Sequence, residues 1–134
     1  RIKTAADIAG FPLISNIGEE HLWAEWMRKA GAEPAMAEDQ RFAVDLQMLT
    51  MDLAVRSEGI AMANWVLAGD LITSGALCIP VKTGIPARDN YYLTYNGPRK
   101  NSLPVGDLVK WMRRRLASEE RDFATHLGRH VAKH

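Results

Sequence analysis

The chain has 134 residues, enough for one compact domain and too few for two complete ones. Its composition is 47% hydrophobic and 25% charged with a net charge of +1, as in an ordinary soluble globular protein, and no apolar run approaches the roughly 20 residues needed to cross a bilayer. The single cysteine excludes an intramolecular disulfide and, with no signal-like start, suits a reducing, cytoplasmic setting.

The small net charge hides an asymmetry. Residues 1–67 carry 6 Lys and Arg against 10 Asp and Glu, whereas residues 68–134 carry 11 against 6, so the first part is about −4 and the second about +5. The Arg113-Arg114-Arg115 run sits on a helical pattern followed by Glu119-Glu120, which reads as a solvated face rather than a nucleic-acid surface. Self-association of acidic against basic halves is the alternative use of the split. The chain begins at Arg rather than Met, which predicts a fragment or a processed or trimmed product.

In chain order, Thr4 can cap a short helix over Ala5 to Ala9 that Gly10 ends, and Phe11 to Ser15 then reads as a short apolar strand. Asn16 to Gly18 is a turn. Glu19 and Glu20 open a helix that carries Leu22, Trp23, Trp26, Met27 and Ala30 on one face and stops at Gly31, its acidic start and Arg28-Lys29 end suiting the helix dipole. Pro34 excludes a helix interior, and Arg41-Phe42-Ala43-Val44 reads as a strand arriving at Asp45. Leu46, Leu49, Leu53 and Ala54 have helical spacing with Met48, Met51 and Val55 on the flank, so wide an apolar surface that more than one neighbour must cover it.

From Ala54 to Val81 the pattern is helix, strand, helix, strand. Gly59 releases the chain into Ile60-Ala61-Met62-Ala63, an uninterrupted run typical of a buried parallel strand; Asn64 caps a helix over Trp65 to Thr73, with Ser74-Gly75 as its left-handed exit; Leu77 to Val81 is the next strand, with Cys78 packed as a small hydrophobe. Residues 82–90 are a loop, and Tyr91-Tyr92-Leu93-Thr94-Tyr95 has strand composition. After the turn-rich Asn96 to Pro104 comes a long amphipathic helix with Val105, Leu108, Val109, Met112 and Leu116 inward. Alternating strands and helices predict an α/β fold with a mostly parallel sheet flanked by helices.

Ligands of such sheets bind where loops and helix N-termini leave the C-terminal ends of strands. Four places qualify: Ser15 with Asn16, Asp45 with Gln47, Asn64, and Tyr91. Each has a plainer reading: an exposed turn for Ser15-Asn16, and helix caps for Asp45 and Asn64. Tyr92 is the alternative to Tyr91, because neighbours on a strand face opposite ways. Trp23 and Trp26 read as core, and His21 with Glu25 as a surface pair. His126, His130 and His134 stand at i, i+4 and i+8, but at a terminus expected to fray, and no metal is predicted. There is no G-x-S-x-G elbow, phosphate loop or H-E-x-x-H motif, and neither catalysis nor a cofactor is expected.

Several of these segments resemble, in order, the effector-binding domain of LysR-type transcriptional regulators. Thr4 to Ile14 is similar to that family's T-x-x-D-L-x-G-x-P-L-L segment; Trp23 and Trp26 to the W-x-x-W pair of the branch with glycine-cleavage activators and β-lactamase regulators; Ala54–Ala63 with Leu71–Val81 to AA-x-x-G-x-GIAL … L-x-x-G-x-L-x-x-P; Tyr91-Tyr92-Leu93 to its YYL strand; and Leu108 to Leu116 to its closing helix. The resemblance implies a periplasmic-binding-protein-like (type 2) domain of two α/β subdomains with a small-molecule inducer between them. Residues 1–90 would be the second subdomain with its entry segment, and 91–134 the return crossover strand and C-terminal helix of the first. By the same resemblance, the DNA-binding helix-turn-helix would lie outside this chain.

The implied function is effector sensing, with cleft closure controlling transcription in a homodimer or tetramer and DNA bound only through the missing N-terminal part. A small organic effector, carboxylate or amino-acid-like, is the expected partner, with Tyr91 as the pocket tyrosine. A solute-binding protein of similar fold is the alternative. Two positions depart from the family: Ser57 stands where a second glycine is usual, followed by Glu58, and Leu46 follows Asp45 where relatives often place a small polar residue. The latter removes a helix cap and a potential ligand hydrogen bond.

Overall fold

The computed structural model describes residues 2–34, 41–87, 91–94 and 103–127, and divides the chain into two compact units, Arg1–Pro86 and Ala87–His134. The first unit is α/β: a small parallel sheet flanked by helices. Its elements run α1 (Ala5–Ile8), β1 (Leu13–Asn16), α2 (His21–Lys29), β2 (Arg41–Val44), α3 (Gln47–Val55), β3 (Ile60–Ala61) and α4 (Trp65–Thr73). The strand order is β2-β1-β3, with Leu13 opposite Arg41 and Ile60, and Asn16 opposite Val44. Because β1 is paired on both edges, its Leu13 and Ile14 are fully buried.

Helix-forming segments here are delimited by local chemistry. In α1 the Asp7 carboxylate reaches back to accept from the backbone N–H of Lys3 at 2.9 Å and of Thr4 at 2.8 Å, and from the Thr4 hydroxyl at 3.1 Å. These bonds hold its carboxyl below the usual carboxylate range, the Lys3 N–H contributing most. Helix α2 ends at Gly31 in the left-handed region, φ 76°, where Gly31 N–H donates to Arg28 O and Ala32 N–H to Met27 O. Helix α3 ends with the same pair of bonds, Ser57 N–H to Ala54 O and Glu58 N–H to Leu53 O, but the left-handed residue is Ser57, φ 65°. Thus a serine occupies a backbone geometry that favours glycine.

The core joins Ala5, Ile8, Leu13, Trp23, Trp26 and Met27, with Ile60, Met62, Val81 and Ile85 packed against it. Trp23 and Trp26 meet edge to face, ring centroids 6.0 Å apart. Their indole N–H groups are both spent on backbone: Trp23 Nε1 donates to Ile14 O at 3.3 Å and Trp26 Nε1 to Thr83 O at 2.7 Å. The pair is core, as its spacing suggests.

Several expectations change. The run Ile60 to Ala63 gives only the two-residue, half-buried edge strand β3. Leu77 to Val81 is not a strand; Leu77 N–H turns back to Leu71 O, Pro80 can donate no ladder bond, and Val81 packs on the core. Cys78 is exposed rather than packed. Glu19 and Glu20 precede α2, Glu20 standing as its N-cap in helical conformation. Residues 91–94 carry no strand, and Tyr91 and Tyr92 are 67% and 81% exposed; Tyr95 lies outside the described residues.

The second unit contains α5 (Leu103–Leu127), which begins two residues earlier than predicted, with Pro104 in the first turn where a missing N–H costs nothing. Val105, Val109 and Met112 are half-buried, whereas Leu108, Trp111 and Leu116 are exposed.

Candidate functional site

The C-terminal ends of β1 and β2 bring together most of the residues singled out from the sequence. Ser15 and Asn16 close β1, and Asp45 and Leu46 connect β2 to α3, whose first residue is Gln47. Parallel pairing of Asn16 with Val44 sets these two strand ends side by side, and Ile17 N–H extends the ladder to Val44 O at 2.9 Å.

Alternation along β1 sends Ser15 and Asn16 to opposite faces of the sheet. Ser15 shares the side of Leu13, is 1% exposed, and its hydroxyl has no hydrogen-bond partner among the described residues. A buried hydroxyl left unpaired costs about 1–3 kcal/mol, so this group is an unspent polar contact in the interior. Asn16, half-buried, faces α3. The Thr50 hydroxyl donates to Asn16 Oδ1 at 2.9 Å, and Asn16 Nδ2 donates to Glu19 Oε2 at 2.8 Å. A single ligand on one face therefore meets only one of the two side chains predicted as a pair.

At the start of α3, Leu46 rather than Asp45 is the N-cap residue, and no side chain caps the helix. The cap role considered for Asp45 is thus unfilled; Asp45 is exposed and Gln47 half-buried. Asn64, by contrast, caps α4: its Oδ1 accepts from Leu67 N–H at 3.1 Å. Its plainer reading is the one the geometry supports. Tyr91 belongs to the second unit and is exposed.

Thr50 and Glu19 were not among the residues picked from sequence. Thr50 carried a signal nonetheless: it is the lone hydroxyl within the apolar surface of α3, fully buried beside Met51. Glu20, next to Glu19, accepts from its own backbone N–H and that of Gly18, which hold its carboxyl below the ordinary range, while its carbonyl accepts from Arg41 Nη1 at 3.1 Å. No group of three or more His, Cys, Asp or Glu suited to a metal occurs among the described residues, and His130 and His134 lie outside them. No helix among these residues is long and apolar enough to cross a membrane.

Over 112 residues the chain is 26% identical to the HTH-type transcriptional activator AmpR of Citrobacter freundii, an alignment taking in 84% of this chain and 38% of that protein. The chain therefore spans less than two-fifths of the length of the curated relative it matches. No protein-family model matches the chain, and no solved structure matches it.

Proposed function

We propose that the chain is part of the effector-sensing domain of a LysR-type transcriptional regulator, of the periplasmic-binding-protein-like (type 2) kind, and is not an enzyme. The observation that carries this reading is the similarity to a transcriptional activator along 84% of the chain, in agreement with family-like segments that follow one another in the expected order. The small parallel sheet with flanking helices is compatible with it. Residues 1–90 correspond in this reading to the second effector subdomain, and 91–134 to the return crossover and C-terminal helix of the first.

The effector is a small organic molecule that meets the C-terminal ends of β1 and β2, with Asn16 and Gln47 as side-chain contacts, Asp45 beside them, and Ser15 on the opposite face. Asn64 serves the fold as a cap. Tyr91 keeps its role as an effector contact on the resemblance alone. The intact regulator works as a cytoplasmic homodimer or tetramer, and DNA is held by a helix-turn-helix outside this chain. An effector alters transcription only if it binds two cleft states with different affinity.

Thermal-shift screening of the intact protein with carboxylates, amino acids and aromatics tests the reading. A ligand that raises the melting temperature and loses its effect in Asn16→Ala supports it. Chemical turnover of that ligand, or stabilisation unchanged by Asn16→Ala and Gln47→Ala, contradicts it.

A further inference from the structure

We infer that Thr50 is a positioning residue that holds the Asn16 amide, oriented by Glu19, so that Asn16 and Glu19 together present one free donor beside one free acceptor, a pair suited to an effector bearing a carbonyl or carboxylate next to an N–H group. The inference rests on the effector-sensing reading and specifies the chemistry of its site.

Hydrogen-bond inventory carries the argument. An Asn side chain has two N–H donors and an oxygen, and its two ends are interchangeable in shape. Here Glu19 dictates the ends: its Oε2, an acceptor only, lies 2.8 Å from one of them, and the Thr50 hydroxyl, able to donate or accept, donates across 2.9 Å to the oxygen left at the other and holds it in place. Flipping the amide would set its oxygen against the Glu19 carboxylate. With the nitrogen on Glu19, one of its hydrogens is used and the second has no partner among the described residues. Glu19 Oε1 is likewise unspent. Both residues are half-buried, whereas Thr50 is fully buried and reaches any ligand only through Asn16. An amide edge, or the ammonium and carboxylate of an amino acid, supplies the complementary acceptor and donor at adjacent atoms.

The test uses intact protein labelled with 15N at asparagine, and acetamide, L-alanine, acetate and methylammonium as probes. The expected result is saturable movement of the Asn16 side-chain N–H signals with acetamide or L-alanine, and at least several-fold weaker response to acetate or methylammonium. Whichever of the first two dominates distinguishes a neutral amide from a zwitterion. Thr50→Val should weaken that binding by roughly fivefold, the loss of one hydrogen bond, and Thr50→Ser should restore it. Equal weakening in Thr50→Ser and Thr50→Val, or no response of Asn16 to either donor–acceptor probe, overturns the inference. If a different ligand then stabilises the protein without moving Asn16, the sensing reading survives alone. If the probes bind as expected while DNA affinity is indifferent to them, the sensing reading fails and this site stands.

Discussion

The Thr50 hydroxyl donates to Asn16 Oδ1 across 2.9 Å, tying the middle of α3 to the last residue of the central strand. Its longer alternative acceptor, Leu46 O at 3.5 Å, lies on its own helix and is too distant to replace it. Since Thr50 is fully buried, the bond is made where water competes least. Thr50→Val keeps the shape and leaves the Asn16 oxygen unpaired, so we expect a loss of about 1–2 kcal/mol in urea unfolding. Thr50→Ser should lose less.

Gly59 stands against the backbone of β1. A Cβ at this position would lie 2.5 Å from Pro12 O and 3.1 Å from the Ile14 side chain, and the same Pro12 carbonyl accepts from Ile60 N–H at 2.8 Å. Gly59→Ala must therefore push β3 off β1. Its expected cost is about 2–3 kcal/mol, at the upper end of overpacking, seen as a lower urea midpoint.

Ser57 offers the opposite case. Ser57 and Gly31 close their helices with equivalent bonds in the left-handed region, yet only Gly31 is free of steric cost there. Ser57→Gly should raise stability by about 1 kcal/mol, less whatever the extra freedom of the unfolded chain takes back. Gly31→Ser should lower it, and the two substitutions measured together in one thermal series check the sign.

Asp7 predicts a pH dependence. Its carboxyl is held down in the folded state by the Lys3 and Thr4 N–H groups, so the unfolded chain takes up this proton more readily. The stability it contributes is complete above the ordinary carboxylate value, near pH 4, and is lost as pH falls through the lower folded value. Wild type should thus lose stability relative to Asp7→Asn on acidification below about pH 4, in paired melts.

Where element boundaries follow from contacts within a few residues, they were legible in the sequence. Asn64 and Gly75 bracket α4 because a cap and a left-handed exit are local chemistry. Strands depend on partners distant along the chain, and here composition misled: Leu77 to Val81 and Tyr91 to Leu93 have apolar or aromatic content but no ladder. The site was legible to the same degree. Position at strand ends singled out Asn16 and Gln47 as candidates, but not that Thr50 and Glu19 occupy the Asn16 amide. The Thr50 bond arises only when α3 is laid on β1, 34 residues away along the chain.

The central claim is that this chain senses a small molecule on behalf of a DNA-binding regulator, and thermodynamic linkage tests it most directly. The measurement is the affinity of the intact protein for its operator DNA, selected from genomic fragments, with and without a stabilising ligand, and the affinity for that ligand with and without DNA. The account predicts that the two affinities change by the same factor. A ligand that binds at the Asn16 end of β1 and leaves DNA affinity unchanged would contradict it.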